Sequence, residues 1–243
     1  MRITRVFLPQ SLVSGESIQI NDESAHYILT VLRLKAGYSL VVFNGEGGEY
    51  QATITDLGRK KSLTLLIGEH QFRTSESLIQ TTLAVGISRG ERMDYAVQKA
   101  AELGVTTISP LLTEYCVVKL NSQQAERRHR HWQRIVEHAC EQCGRTVVPR
   151  IDYPVNLVDW LAQARPGCRL LFHPDQSQHL VQVKSVDQQF HLLIGPEGGF
   201  SDAECVHAIA ADFQPVSIGP RVLRAETAVV AALTSIQLRW GDF

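Results

Sequence analysis

The chain has no G-x-x-x-x-G-K-[ST] segment, and no G-x-G-x-x-G opens a helix after a strand, so neither a P-loop nor a dinucleotide-binding fingerprint is present. Asn44-Gly45-Glu46-Gly47-Gly48 comes nearest, but it lies between two β-rich runs and reads as a hairpin turn. A dominant charge is also lacking. Against 25 Asp and Glu stand 24 Lys and Arg, a formal net of -1, so any contact with nucleic acid has to rest on local patches. No apolar run approaches membrane-spanning length, and Met1-Arg2-Ile3-Thr4-Arg5 lacks the apolar core of a secretory signal, which makes a cytoplasmic location the expectation. Five scattered cysteines argue against a disulfide framework. Cys140 and Cys143 form a C-x-x-C, yet neither a second pair nor a thioredoxin-like context accompanies them, so no metal is expected.

What the chain does have is a repeated loop. Leu192-Leu193-Ile194-Gly195-Pro196-Glu197-Gly198-Gly199-Phe200 is echoed by Ile218-Gly219-Pro220-Arg221-Val222-Leu223-Arg224-Ala225-Glu226-Thr227-Ala228. Each copy runs from an apolar strand through a Gly-Pro loop into a helix. Glycine lets main-chain amides approach a ligand and proline stiffens the loop. Ser201 and Glu204 form a capping box that predicts a helix start. Two such loops at the carboxyl ends of neighbouring strands would make a small-molecule site; a pair of ordinary strand-to-helix turns is the plainer alternative.

The 243 residues, 44% of them hydrophobic, suffice for one large or two modest domains. Residues 1–72 are β-rich, with strand-like runs at Arg2 to Leu8, Ser39 to Phe43, Tyr50 to Thr55 and Leu63 to Ile67. A helix from Ser24 to Leu34, capped by Asp22 or Ser24, completes what reads as a small barrel. The polar stretch 73–77 reads as a linker. From 78 to 243 strands and helices alternate, which means an α/β domain with a mostly parallel sheet. Ile79 to Val85 is a strand, Glu91 to Leu103 a helix stopped by Gly104, Val105 to Ser109 a strand ended by Pro110, and Ser122 to Cys143 a long helix. A segment from Pro154 to Ala164, a strand Arg169 to Phe172 and a last helix from Glu226 to Arg239 follow.

The two loops resemble the signature of SPOUT-class RNA methyltransferases, specifically the RsmE-type enzymes acting on uridine N3 in 16S ribosomal RNA. Further segments match in order: His26 with Val31-Leu32-Arg33-Leu34, Ser88 to Met93, Gln98 to Val105, and Glu141-Gln142-Cys143-Gly144-Arg145. One departure is Tyr115, where the family is expected to carry Arg. The resemblance implies a PUA-like β-barrel at 1–72, a deep trefoil-knot domain at 78–243, S-adenosylmethionine as cofactor, ribosomal RNA or the assembled small subunit as substrate, and a homodimer. It also implies a cofactor pocket formed by Leu171, Phe172, His173, Ile194, Gly195, Gly199, Ile218, Gly219, Leu223, Arg224 and Thr227.

Uridine N3 is a weak acid, so its methylation needs a base for the proton or a cation for the resulting anion. A guanidinium is no base but can grip a uracil oxygen bidentately, which assigns Arg145 and Arg224 to anion stabilisation or RNA positioning. Glu197 is the candidate proton acceptor, a role eased if burial raised its pKa; alternatively it and Glu226 only accept from loop or helix amides. Candidate RNA contacts are Arg5, Arg33, Arg59, Lys60 and Arg89, with Arg127, Arg128 and Arg130 in the basic run Arg127 to Arg134. Within that run Trp132 is a core anchor or a base-stacking partner, and the nearby His129, His131 and His138 face solvent or RNA. Solvated faces are the alternative for the basic turn Gly58-Arg59-Lys60-Lys61 and for the helix. Ala228, Ala231, Ala232 and Ser235 leave the last helix open to close packing, within the domain or across a dimer. An RNA-binding assembly factor that keeps the pocket without catalysis, or a methyltransferase acting at another RNA position, are the competing readings.

Overall fold

The computed structural model describes residues 4–21, 23–58, 62–163, 165–174 and 178–243. Two compact units emerge: Met1–Glu76 with Cys140–Val148, and Ser77–Ala139 with Pro149–Phe243.

In the first unit β1 (Arg5–Phe7), β2 (Ser17–Ile20), β3 (Ser39–Phe43), β4 (Glu49–Leu57) and β5 (Leu63–Gln71) form a sheet in the order β1-β3-β4-β5-β2. β1 runs parallel to β3 and the other pairs are antiparallel. Alternation decides which face is inside: Leu63, Leu65 and Ile67 join Leu40, Val42, Ala52 and Ile54 in one apolar core. The Asn44–Gly48 turn joins β3 to β4 as expected, with Asn44 Oδ1 accepting the Glu46 amide at 3.2 Å. The helix expected over 24–34 is only one turn, α1 (Glu23–His26), continued by a π-turn over Tyr27–Val31 in which Leu32 N donates to Tyr27 O. Its β-branched Ile28, Thr30 and Val31 are poor helix residues, and Arg33 leaves the turn at φ 57°. The suggested cap Asp22 lies outside the described residues, whereas β2 went unread because four residues between polar turns give little pattern.

Residues 140–148 were assigned from sequence to the second domain but pack with the first unit. Phe7 N donates to Glu141 Oε1 at 3.0 Å, Ser75 Oγ to Gly144 O at 2.7 Å, and Arg145 pairs with Glu76.

The second unit is α/β. β6 (Gln80–Gly86), β7 (Thr107–Leu112), β8 (Arg150–Ile151), β10 (Cys168–Phe172), β11 (Gln189–Ile194) and β12 (Gln214–Val216) form a sheet ordered β12-β10-β11-β6-β7-β8, and β9 (Val155–Asn156) also pairs with β7. Every pairing is parallel, so all strand ends of one kind lie at one edge. One face packs Ala84, Leu111, Leu171 and Leu193 on Trp160, Ala208 and Phe213, from α4 (Leu157–Leu161), α5 (Asp202–Ala210) and the turn after α5. Residues of opposite parity, Leu83, Val85, Leu170, Leu192 and Ile194, are buried as well. That accounts for strands reading as continuous apolar runs. α2 (Glu91–Glu102) packs against α6 (Ala225–Trp240), where buried Gln237 receives Ser77 Oγ at 2.8 Å and donates to Leu103 O at 2.9 Å. The long basic helix is α3 (Ser122–Cys143). Pro110 does not end its strand as expected but sits inside β7. It shares parity with Ile108, whose carbonyl accepts from Asp152, so its missing N–H falls where β8 has ended and β9 has yet to begin. Among the described residues no helix is long and apolar enough to cross a membrane.

Candidate active site

Phe172, Ile194 and Val216 stand level at the ends of β10, β11 and β12, so three loops leave the sheet side by side. The two signature loops do not follow adjacent strands, as the sequence suggested. β10 lies between them, and its own loop through His173 and Pro174 occupies the middle. Together they enclose a cavity of about 490 Å³, with an adjoining one of about 70 Å³.

Most expected cofactor residues converge here. Phe172, His173, Ile194, Gly195, Gly199, Leu223 and Arg224 line the larger cavity, and Ile218 and Gly219 the smaller. Leu171 does not: alternation turns it to the other face of β10, into the core beside Leu193. Thr227, exposed on the first turn of α6, lines neither. Lining residues that the sequence did not place at the pocket are Phe200, Ala228 and above all Arg92, which lay in a matching segment as one more charge in a helix's first turn.

Local chemistry fixes the first loop. Gly199, at φ 72°, donates to Pro196 O at 2.9 Å, and the place where its Cβ would stand is open. A Cβ on Gly86 would collide with the Pro196 ring, and one on Gly198 would lie 2.8 Å from Tyr115 Cβ, so the loop rests on two close approaches. The capping box forms: Glu204 N donates to Ser201 Oγ at 3.3 Å and Ser201 N to Glu204 Oε2 at 2.9 Å. Glu204 Oε1 also accepts the Glu114 amide at 2.8 Å, tying the Tyr115 segment to α5.

Glu197 lines the cavity, where its Oε1 accepts from Arg89 N at 3.1 Å and Arg92 Nη1 at 3.3 Å. Desolvation alone would raise its pKa, but the backbone bonds, the Ser88 hydroxyl and the Arg92 charge together hold it below the ordinary 4.5. The rise that would have eased a role as proton acceptor is not there: the group is ionised and a weak base. Arg224, exposed at the start of α6, lines the cavity with no ion pair among the described residues. Glu226 Oε2 is buried without a hydrogen-bond partner among them, so it does not accept from the helix N-terminus.

Arg145 is elsewhere. It lines neither cavity, is 3% exposed, and meets Glu76 Oε2 through Nε at 2.8 Å and Nη2 at 2.6 Å. Arg5 is similarly committed, to Glu49 at 3.1 and 3.3 Å, because a buried carboxylate requires a partner. Both guanidiniums are engaged by carboxylates. Arg33 and Arg89 are exposed, while Arg59 and Lys60 lie outside the described residues. On α3, Arg130 pairs with Glu126 at 3.8 Å and Arg127 and Arg128 border a cavity of their own. Trp132 is the core anchor, 1% exposed with Nε1 donating to Asp94. His129 stacks on Tyr153, His131 bonds Asp94, and burial lowers the pKa of His138. Among the described residues Cys140 and Cys143 form no disulfide, and no group of three His, Cys, Asp or Glu is placed to hold a metal.

Residues 74–237 match an RNA methyltransferase domain family, and residues 20–67 an RNA methyltransferase PUA domain family. The chain is 34% identical to a ribosomal RNA small subunit methyltransferase E from Buchnera aphidicola subsp. Schizaphis graminum, across 99% of this chain and 98% of that one. A counterpart of the same name from Synechocystis is 33% identical, over 95% and 76% of the two chains. The crystal structure of a ribosomal RNA small subunit methyltransferase E from Neisseria gonorrhoeae, bound to S-adenosyl methionine, superimposes with a TM-score of 0.92 at 34% identity and full coverage of both. The chain belongs to the ribosomal RNA small subunit methyltransferase E family of RNA methyltransferases.

Proposed function

We propose that this protein methylates N3 of a uridine in 16S ribosomal RNA, using S-adenosylmethionine held in the 490 Å³ cavity. The observation that carries this is the cavity: main chain of three parallel-strand loops, apolar walls, and at its edge the Arg224 guanidinium, with no ion pair among the described residues. Its volume lies within the roughly 300–1,000 Å³ of small-molecule sites. The open space at Gly199 is where main chain can meet a ligand without a side chain intervening. The SAM-bound Neisseria relative supports the choice of cofactor.

When bound, the cofactor supplies a methyl group already activated on sulfonium, so the protein's task is position and charge. Ile194, Phe172 and Leu223 provide apolar contact for an adenine ring, and the main chain at Gly195 and Gly199 can read its polar edge. Arg224 holds the uracil oxygen that gains negative charge as N3 loses its proton. Glu197, ionised and engaged by Arg89 and Arg92, orients Arg92 towards the cavity, and solvent base takes the proton. Arg145 has a structural role in the first unit, which as a PUA-like barrel contacts RNA.

The same reading includes a knotted path and a homodimer. The strand order β12-β10-β11 supports the first, since the last strand returns to the far side of β10. Exposed Leu238 and Val222 on and beside α6 support the second, which predicts sedimentation as a dimer at micromolar concentration. The deciding experiment incubates the protein with labelled S-adenosylmethionine and small ribosomal subunits, then digests the RNA to nucleosides. The expected product is 3-methyluridine; methyl on ribose or carbon, or no transfer, overturns the proposal.

A further inference from the structure

A separate cavity, of about 430 Å³, lies between α3 and the segment that precedes it. From α3 it is lined by Gln124, Arg127, Arg128 and His131, one stripe at i, i+3, i+4 and i+7. Lys119 lies opposite, flanked by Val118 and Leu120. Among the described residues Lys119, Arg127 and Arg128 have no carboxylate partner, whereas Arg130, off the stripe, has Glu126. The walls are fixed before any ligand arrives. Asn121 and Gln124 exchange reciprocal bonds, Asn121 N to Gln124 Oε1 at 3.0 Å and Gln124 N to Asn121 Oδ1 at 2.9 Å. His131 is held by Asp94 at 2.8 Å, and the same carboxylate takes the indole of buried Trp132.

Two connections tie this cavity to the cofactor loops. Tyr115, against Gly198, is three residues from Val118, at most about 10 Å of extended chain. On α2, Arg92 lines the cofactor cavity, and Asp94, two residues on, holds His131. Three cationic side chains with apolar flanks and no carboxylate partner among the described residues suit a phosphodiester with its attached nucleoside.

Building on the reading of the protein as an RNA methyltransferase, we propose that the cavity of Lys119, Arg127 and Arg128 binds a backbone phosphate of the RNA strand beside the target nucleotide and so positions it. Such a contact is made equally in ground and transition states, so its loss raises KM and spares kcat.

The test compares the full chain carrying Lys119→Ala with Arg128→Ala against Arg150→Ala, an exposed arginine paired with Asp152 outside the cavity, in single-turnover and steady-state methylation of small subunits, with calorimetry for S-adenosylmethionine. For the pocket variant we expect KM for RNA to rise by about tenfold or more with kcat within about twofold, and the slope of log affinity against log salt to fall by about one. Arg150→Ala should change little, and cofactor affinity should hold in both. Unchanged KM and salt slope in the pocket variant overturn the proposal, as does an Arg150→Ala effect of equal size, which would mean a diffuse field. Wild-type protein that binds cofactor but methylates no RNA would defeat the functional reading itself; wild-type methylation with indifferent pocket variants defeats the pocket alone.

Discussion

Replacing Arg145 by Met should cost the first unit about 3 kcal/mol, the low end of the 3–5 expected when one partner of a buried ion pair is removed. Two bonds between charged groups are lost, Nε and Nη2 to Glu76 Oε2, each worth about 1.5–3 kcal/mol. The Thr146 and Val147 amides keep Glu76 Oε1, at 3.1 and 3.2 Å, so the carboxylate is not left without donors. The Glu76 side chain is 21% exposed, and water reaching it returns part of the cost, which sets the estimate low. Glu76→Gln keeps an acceptor for those amides and turns an NH2 against the guanidinium, so the two substitutions should be strongly non-additive in a double-mutant cycle. All three tryptophans belong to the second unit, so their fluorescence does not report on the first. Hydrogen exchange of peptides from β4 and β5 does, in urea at constant temperature. At temperatures where the variant stays folded, kcat should remain near wild type. Wild-type exchange protection with a collapse in kcat would return Arg145 to the chemistry and refute the argument.

Gly199→Val forces a β-branched residue into φ 72° and fills open space, so cofactor affinity should fall at least about tenfold, or about 1.4 kcal/mol; calorimetry on folded variant showing unchanged affinity would remove the loop from the site. Arg224→Lys keeps the charge but loses the fork, so it should lower kcat more than cofactor affinity and rescue Arg224→Ala only in part. If the variant turns over like wild type, another group stabilises the uridylate. Because the folded pKa of Glu197 is depressed, its bonds are complete above pH 4.5 and are lost as pH falls through the lower folded value. The pH profile of kcat/KM should therefore show no step from this group near neutrality, only a rise with pH from N3 ionisation. A step near neutrality that vanishes in Glu197→Gln would make it the base after all.

Where the sequence was informative, the physics was local. The capping residues Ser201 and Glu204, the C-terminal Gly104 at φ 82° and the apolar period of Ser122–Cys143 each act within one turn, and a single chain displays them. Loop glycines pointed to the cavity at the strand ends for the same reason, since their conformational freedom is intrinsic. What failed depended on neighbours. Pro110 stays in β7 only because of how β8 and β9 divide one edge, and no window around Pro110 contains that fact. Leu171 and Phe172 point opposite ways, but the pattern of a strand buried on both faces does not say which way is the pocket. Arg145 and Arg224 were equally attractive as arginines beside motifs; burial against Glu76 separates them, and that contact spans 69 residues. The resemblance to the RNA methyltransferases carried fold and activity further than periodicity could.

The split make-up of the first unit bears on how the protein is born. Its five strands have all left the ribosome once Gln71 is out, yet Glu76 has no guanidinium until Arg145 follows. Between the two come β6, α2, β7 and most of α3, elements of the other unit. Domains usually mature in order as they emerge; here the first is interrupted and waits for the second to be more than a third made. The cavity at the strand ends comes later still, because Leu223, Arg224 and Ala228 follow Arg145 in the chain. A nascent chain can therefore display its N-terminal sheet long before it can hold a methyl donor. Ribosomes stalled between residues 77 and 139 would carry that sheet with an unpaired carboxylate on its flank.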